Sequence, residues 1–221
     1  YYNINKKNII IFSPHADDAE IAMGGTIAKL SKKNKVTVIT AIIPKENILG
    51  KKNKYMVDNR LKEQKKSAKI LGANLIVLNI DQYEFSYSRK FIQIIDKLIF
   101  KLKPDIVFSC WEHDTHQDHQ TLSKLVYSAL RKNDISLYLY EAMLPGGINS
   151  HAFNPTLFVD ISKQIKKKIS SLRQYKSVFK NKNNTYSNYY DSIIARAKYR
   201  GGCIGVNHAE AFQIIKQVSF Y

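Results

Sequence analysis

What most constrains this chain is a repeated alternation: short apolar runs rich in β-branched residues, each followed by a segment with helical apolar spacing. The runs are Ile9 to Phe12, Val36 to Ile43, Leu75 to Ile80, Asp105 to Cys110, Leu137 to Tyr140 and Thr156 to Ile161. Between them, apolar residues recur with the helical period over Met23 to Leu30, Met56 to Leu71, Phe91 to Leu102 and Gln120 to Leu130. Such an order predicts an α/β fold with a mainly parallel sheet and helices on both faces. Several runs are apolar throughout instead of alternating, as in strands buried on both sides. Further on, a basic helix is expected near Lys163 to Tyr175 and another helix from Ser192 to Tyr199, separated by the polar stretch KNKNNTYSNYY. With 221 residues, 44% of them hydrophobic, and no Pro/Gly/Ser-rich linker, the chain is expected to form a single domain over residues 1–221.

Several function classes drop out. The apolar runs are too short or too interrupted by Lys, Asn and Asp to span a bilayer, so no membrane insertion and a cytoplasmic location are expected. Cys110 and Cys203 lack CxxC spacing and read as reduced thiols, neither a disulfide framework nor a cysteine zinc knuckle. The formal charge of +17 would ordinarily point to a polyanionic partner. Here the basic residues are dispersed through SKKNK, GKKNK, KEQKKSAK and KQIKKK, in a chain generally rich in Lys, Asn and Ile. A solvated surface is the preferred reading, and no nucleic-acid partner is expected. The sequence leaves a homo-oligomer open.

Two polar clusters stand at predicted strand ends. SPHADDAE follows the run NIIIF, and WEHDTHQDHQ follows DIVFSC. In open parallel sheets ligands bind beyond the carboxyl ends of the strands, so the two clusters should meet on one rim. Four of the six histidines lie in them: His15, His113, His116 and His119. Imidazole nitrogen with carboxylate oxygen suits zinc or another divalent first-row metal, and three protein ligands with an open position is the catalytic form of a zinc site. His116 and His119, three residues apart near a helix start, would share a face. Adjacent Asp17 and Asp18 point in different directions, so one can bind metal while the other stays free as a base. Asp17, Asp18, Glu20, Glu112, Asp114 and Asp118 form an acidic rim in an otherwise basic chain, which a cation would neutralise.

Simpler roles compete residue by residue. Asp17 or Asp18 could cap the following helix, Gly24 and Gly25 could let that helix pack closely on the sheet, and His113 could be a surface residue. Neither G-x-G-x-x-G nor G-x-x-x-x-G-K-[ST] occurs, which disfavours a nucleotide-binding loop, and the absence of G-x-S-x-G removes a serine-hydrolase elbow.

SPHADDAEIAMGGTIAKL (13–30) with HDTHQDH (113–119) resembles the paired signature of the PIG-L/LmbE-like zinc-dependent N-acetylglucosaminyl deacetylases. The similarity continues through RLKEQKKSAKILGA, LKPDIVFSC, FNPTLFVDIS and HAEAFQ. It implies a Rossmann-like α/β fold with the active site at the strand C-terminal ends. It further implies that His15, Asp18 and His119 hold Zn2+, that Asp17 is the general base and that His116 stabilises the oxyanion and protonates the leaving amine. Asp118 would orient His116, and Arg60 would contact substrate. The sequence departs from the family where Ala16 replaces a common Pro, where Glu20 stands one place later than a common Glu, and where Gln117 replaces a frequent Pro. The resemblance thus implies a hydrolase that removes the N-acetyl group from an N-acetylglucosamine-type sugar conjugate. Alternatives are an amidase for another acyl or thiol-sugar conjugate, or a metal-dependent sugar-binding protein without turnover. The Tyr-, Asn- and Gly-rich stretches 79–89, 143–153 and 181–190 are the expected specificity loops.

Overall fold

The computed structural model describes residues 4–45, 54–141, 151–179 and 189–218. Each expected run becomes a strand: β1 (Asn8–Ser13), β2 (Lys35–Ile42), β3 (Asn74–Ile80), β4 (Ile106–Cys110), β5 (Ser136–Tyr140) and β6 (Leu157–Asp160). A further strand, β7 (Ala209–Lys216), was not among the expectations. The sheet runs in the order β3-β2-β1-β4-β5-β7-β6; its first five strands are parallel, and β7 lies antiparallel between β5 and β6. Strand β7 escapes a pattern search because Glu210 interrupts its apolar residues, and a carboxylate is costly in a buried strand without a partner. Lys168 supplies that partner.

The helices are α1 (Asp18–Leu30), α2 (Lys54–Leu71), α3 (Arg89–Leu102), α4 (Gln117–Ala129), α5 (Ile165–Leu172), the short α6 (Lys176–Phe179) and α7 (Tyr189–Gly202). Helix α3 buries Phe91, Ile95 and Ile99, one residue per turn, and stops where Lys103 turns left-handed ahead of Pro104. Helices α1, α2 and α5 pack on one another and α3 packs on α4, which gives the two helical layers that right-handed crossovers produce. Between them, β1 contributes Ile9, Ile10, Ile11 and Phe12 to the core beside Ile39, Val107, Leu125 and Val126. Burying a side chain of this size contributes roughly 1.5–3 kcal/mol, so these central strands are firmly held.

Helices α1 and α4 both begin earlier than the apolar spacing indicated, at Asp18 and Gln117 instead of Met23 and Gln120. Their first turns are polar, which hides them from a search for apolar periodicity. Those turns carry the acids and histidines at the ends of β1 and β4, and β1 and β4 are neighbours where the strand order reverses. The two clusters therefore face one crevice. Among the described residues, the lysines of the basic stretches are exposed, Lys32, Lys33, Lys65, Lys66, Lys166 and Lys167 among them, except Lys168, which is 1% exposed.

Candidate active site

The turn after β1 is shaped by Ser13, whose hydroxyl donates to the His15 carbonyl (2.7 Å) and accepts from the Ala19 N–H (3.2 Å). The turn leaves Asp17 at the N-cap of α1 with φ of 98°, in the left-handed region, and its side chain makes no capping bond. A non-glycine residue held there stores on the order of 1–3 kcal/mol, so the capping role weighed from sequence does not describe it. Its carboxylate instead accepts from the Arg60 guanidinium at 3.2 Å.

Asp18, His15 and His119 converge. Oδ2 of Asp18 lies 3.2 Å from His15 Nδ1 and 3.2 Å from His119 Nε2, and it also accepts from the His15 backbone N–H (2.9 Å). One donor atom from each residue falls within 4.8 Å of the others, a spacing and an N/O donor set that fit a divalent cation. Asp114, 2% exposed, holds the other nitrogen of His119 at 2.6 Å and receives the His116 backbone N–H at 2.9 Å. A carboxylate behind a ligating histidine fixes the ring and its tautomer. The sequence placed Asp114 only in the acidic rim; the signal for its role was its position five residues before His119, on the loop that closes back onto α4.

Asp118 stands between two rings. Its Oδ2 lies 2.8 Å from His15 Nε2 and 3.9 Å from His116 Nδ1, while its backbone N–H donates to His116 Nδ1 at 3.1 Å. His116 thus caps α4 through its ring, and the nitrogen left to carry a proton is Nε2. Its ring lies 4.8 Å from that of His15 and 5.0 Å from that of His119. His15, His116 and Asp118 form a second group with cation spacing, sharing His15 with the first. Gln117, named above as a departure from the resembled pattern, is the exposed first residue of α4, a position that accepts Gln as well as Pro.

The charges of the site are interlocked. Burial pulls the His15 imidazole down, but its hydrogen bonds to Asp118 and Asp18 prevail and hold it up at about 9. Burial likewise opposes protonation of His119, and the Asp18 charge with the Asp114 hydrogen bond raises it to about 10. Asp18, despite its burial, is kept well below the carboxylate range by His119 and His15. Burial raises Asp17 to about 8, against the opposing charge of Arg60. His116 is lowered by burial and by the neighbouring histidines. The site as a whole demands positive charge beside Asp18.

Asp17, Asp18, His15, Arg60 and His116 line a cleft of about 370 Å3, together with Ala16, Ile21, Pro44, Val178, Phe179 and Tyr189. Val178 and Phe179, at α6, were not anticipated, since four residues are too few to register as a periodic segment. Of the expected specificity loops, 143–150 and 181–188 lie outside the described residues, and Tyr189 alone of the described remainder is among the lining groups. The 79–89 loop contributes none of them; its Phe85 is buried against Phe91 and its Tyr83 is exposed. His113 lies apart from both cation-spaced groups, with its ring stacked on His151 at 4.1 Å. Glu112 accepts from Tyr127, and Glu20 is buried beneath the site, accepting from Tyr175 at 2.7 Å and Ser67 at 3.4 Å.

A family model, PIG-L, described as GlcNAc-PI de-N-acetylase, matches residues 10–130, a span that includes every residue from His15 to His119 discussed above. A diacetylchitobiose deacetylase from Thermococcus kodakarensis is 26% identical over 226 residues, covering 95% of this chain and 83% of its own. Among solved structures, the N,N'-diacetylchitobiose deacetylase of Pyrococcus horikoshii, complexed with its inhibitor MPG, superposes with a TM-score of 0.80 at 23% identity, covering 95% of this chain and 84% of that one. GalB, the 4-carboxy-2-hydroxymuconate hydratase of Pseudomonas putida, has a TM-score of 0.79 at 17% identity, covering 97% and 98%. The structural neighbours share the fold, and a hydratase among them means that the reaction has to be argued from the site.

Proposed function

The chain belongs to the PIG-L family of de-N-acetylases, and from that premise we propose that it is a zinc-dependent amide hydrolase that removes the N-acetyl group from an N-acetylglucosamine-type sugar conjugate. The observation that carries the reading is a division of labour between adjacent carboxylates: Asp18 meets both His15 and His119, while Asp17 turns away into the cleft beside Arg60. His15, Asp18 and His119 would hold the ion. Bound there, zinc supplies Lewis-acid polarisation of the amide carbonyl and lowers the pKa of a water ligand to about 7.

The chain's own groups do the rest. Asp17, in the cleft beside the cation-spaced group and held there by Arg60, is placed to take a proton from the attacking water and release it again within one turnover. Arg60 steadies that carboxylate and reaches the same cleft, where it can also meet substrate hydroxyls. Nε2–H of His116 offers a hydrogen bond toward the charge that develops on the carbonyl oxygen, and the departing amine takes up the proton that Asp17 removed from the attacking water. Asp118 holds His15 through its carboxylate and His116 through its backbone N–H. The wall of Val178, Phe179 and Tyr189 gives an apolar surface on which the face of a pyranose ring can lie.

Acetate release from diacetylchitobiose and other N-acetylglucosamine conjugates tests this. The expected result is activity that a chelator abolishes and zinc restores, and a kcat in Asp17→Asn lower by about 10²–10⁴-fold with zinc still bound. Hydrolysis that survives chelation would overturn the metal-dependent reading, and zinc-loaded protein inert toward the whole panel would point to a sugar-binding role.

A further inference from the structure

Helix α1 is broken in the middle. Met23 has φ of −137° and ψ of 24°, which separates a short first segment, running from Asp18 to Ala22, from the rest of the helix. In an unbroken helix the N–H groups of Gly25 and Thr26 would bond the carbonyls of Ile21 and Ala22. Here those N–H groups donate to the two carboxylate oxygens of Glu210, at 2.9 and 2.6 Å. The two carbonyls lie against cations: Arg196 Nη2 stands 3.4 Å from the Ile21 oxygen and Lys168 Nζ 3.5 Å from the Ala22 oxygen. Lys168 and Glu210 are joined to each other at 2.5 Å, both almost wholly buried. The signs are those a cut helix requires, an anion at the new N-terminus and cations at the new C-terminus.

Gly24 and Gly25 make room for this network. A Cβ on Gly25 would stand 2.8 Å from three side-chain atoms of Ile161, and one on Gly24 would stand 3.3 Å from Lys168. The glycine pair therefore fits α1 closely to Ile161 at the end of β6 and to Lys168 of α5. All three charged residues lie outside the 10–130 span that the family model matches.

We propose that Glu210, Lys168 and Arg196 are positioning residues: by holding the break at Met23 they set the direction of the Asp18–Ala22 segment, and with it the placement of Asp17 and Asp18 against His15 and His119. The segment's first residue is a member of the cation-spaced group, so a change in its direction moves a ligand without touching one. The kinetic half of the inference rests on the deacetylase reading; the metal half does not.

The test uses Lys168→Met combined with Glu210→Gln, so that no charge is left buried without its partner, and separately Arg196→Met, which leaves the Lys168–Glu210 pair in place. Zinc affinity is measured by competition with a chromophoric chelator, the visible spectrum of the cobalt(II)-substituted protein reports ligand geometry, and steady-state kinetics are run on diacetylchitobiose. Both variants are expected to keep the wild-type far-ultraviolet circular dichroism and to lose about 10–100-fold in zinc affinity, the range commanded by groups that support metal ligands. The cobalt spectrum shifts, and kcat falls while KM stays within about twofold. A folded Arg196→Met protein with wild-type zinc affinity and cobalt spectrum would overturn the proposal whether or not the double variant folds. If affinity falls in the variants but no acetate is released even by wild type, the positioning role stands and the deacetylase reading falls.

Discussion

Asp17 and Asp18 are the same residue twice in succession, yet their surroundings drive them to opposite ends of the carboxylate range. Burial lifts Asp17 to about 8, and two histidines hold Asp18 far down. Titratable neighbours pushed apart in this way suit the division of roles proposed above, one group kept charged and one able to exchange a proton. Asp114 makes a comparable contribution from behind. It holds His119 Nδ1 at 2.6 Å and so presents Nε2 toward Asp18. Asp114→Ala is expected to lower zinc affinity about 10–100-fold, measured by chelator competition, because the ring loses the partner that fixes its orientation. Asp114→Asn, which can still accept from that ring nitrogen, is expected to lose less.

At the level of the elements, what could be read from the sequence followed the physics of each piece. The central strands were legible because burial on both faces leaves an unbroken apolar signature, and α3 because one apolar face repeats along it. The beginnings of α1 and α4 were not, because a helix start packed into a functional crevice is polar and is organised by Asp17 and His116 instead of by periodicity. Strand β7 was hidden by Glu210, whose burial makes sense only once Lys168, 42 residues away, is known to face it. The meeting of the two clusters, by contrast, followed from topology, since each comes after the carboxyl end of a strand, whereas the contact of Asp118 with His15 instead of His116 did not. Helix α1 also carries a packing prediction. Gly25→Ala forces a methyl group against Ile161 and is expected to destabilise the protein by about 1–3 kcal/mol in denaturant unfolding. Ile161→Ala is expected to cost less in the Gly25→Ala background than in wild type, because the two side chains compete for one space.

For the molecule as a whole, the site leaves its mark on stability. His15 and His119 are raised above their ordinary 6.5, to about 9 and about 10, so the stabilisation they give is full below pH 6.5 and is lost as pH climbs through 9 to 10. Asp17, raised from 3.8 to about 8, acts in the same direction, since between those values the unfolded chain is charged while the folded one holds its proton. Chelator-treated protein is therefore expected to show a falling Tm from pH 6.5 toward 10. With zinc in excess the trend should turn upward over the neutral range, because the ion competes with the protons on its own ligands. Parallel pH profiles of Tm with and without zinc would contradict this.

The place of β7 also sets a calendar for synthesis. His15, Asp18 and His119 have all been synthesised at least about ninety residues before Glu210 is made, and among the described residues β6 has β7 as its only neighbour in the sheet. A nascent chain can hold all three donor residues and still lack the carboxylate that bonds the N–H groups at the break in α1, so on the positioning role proposed above the site acquires its final shape only when β7 slides in beside β5.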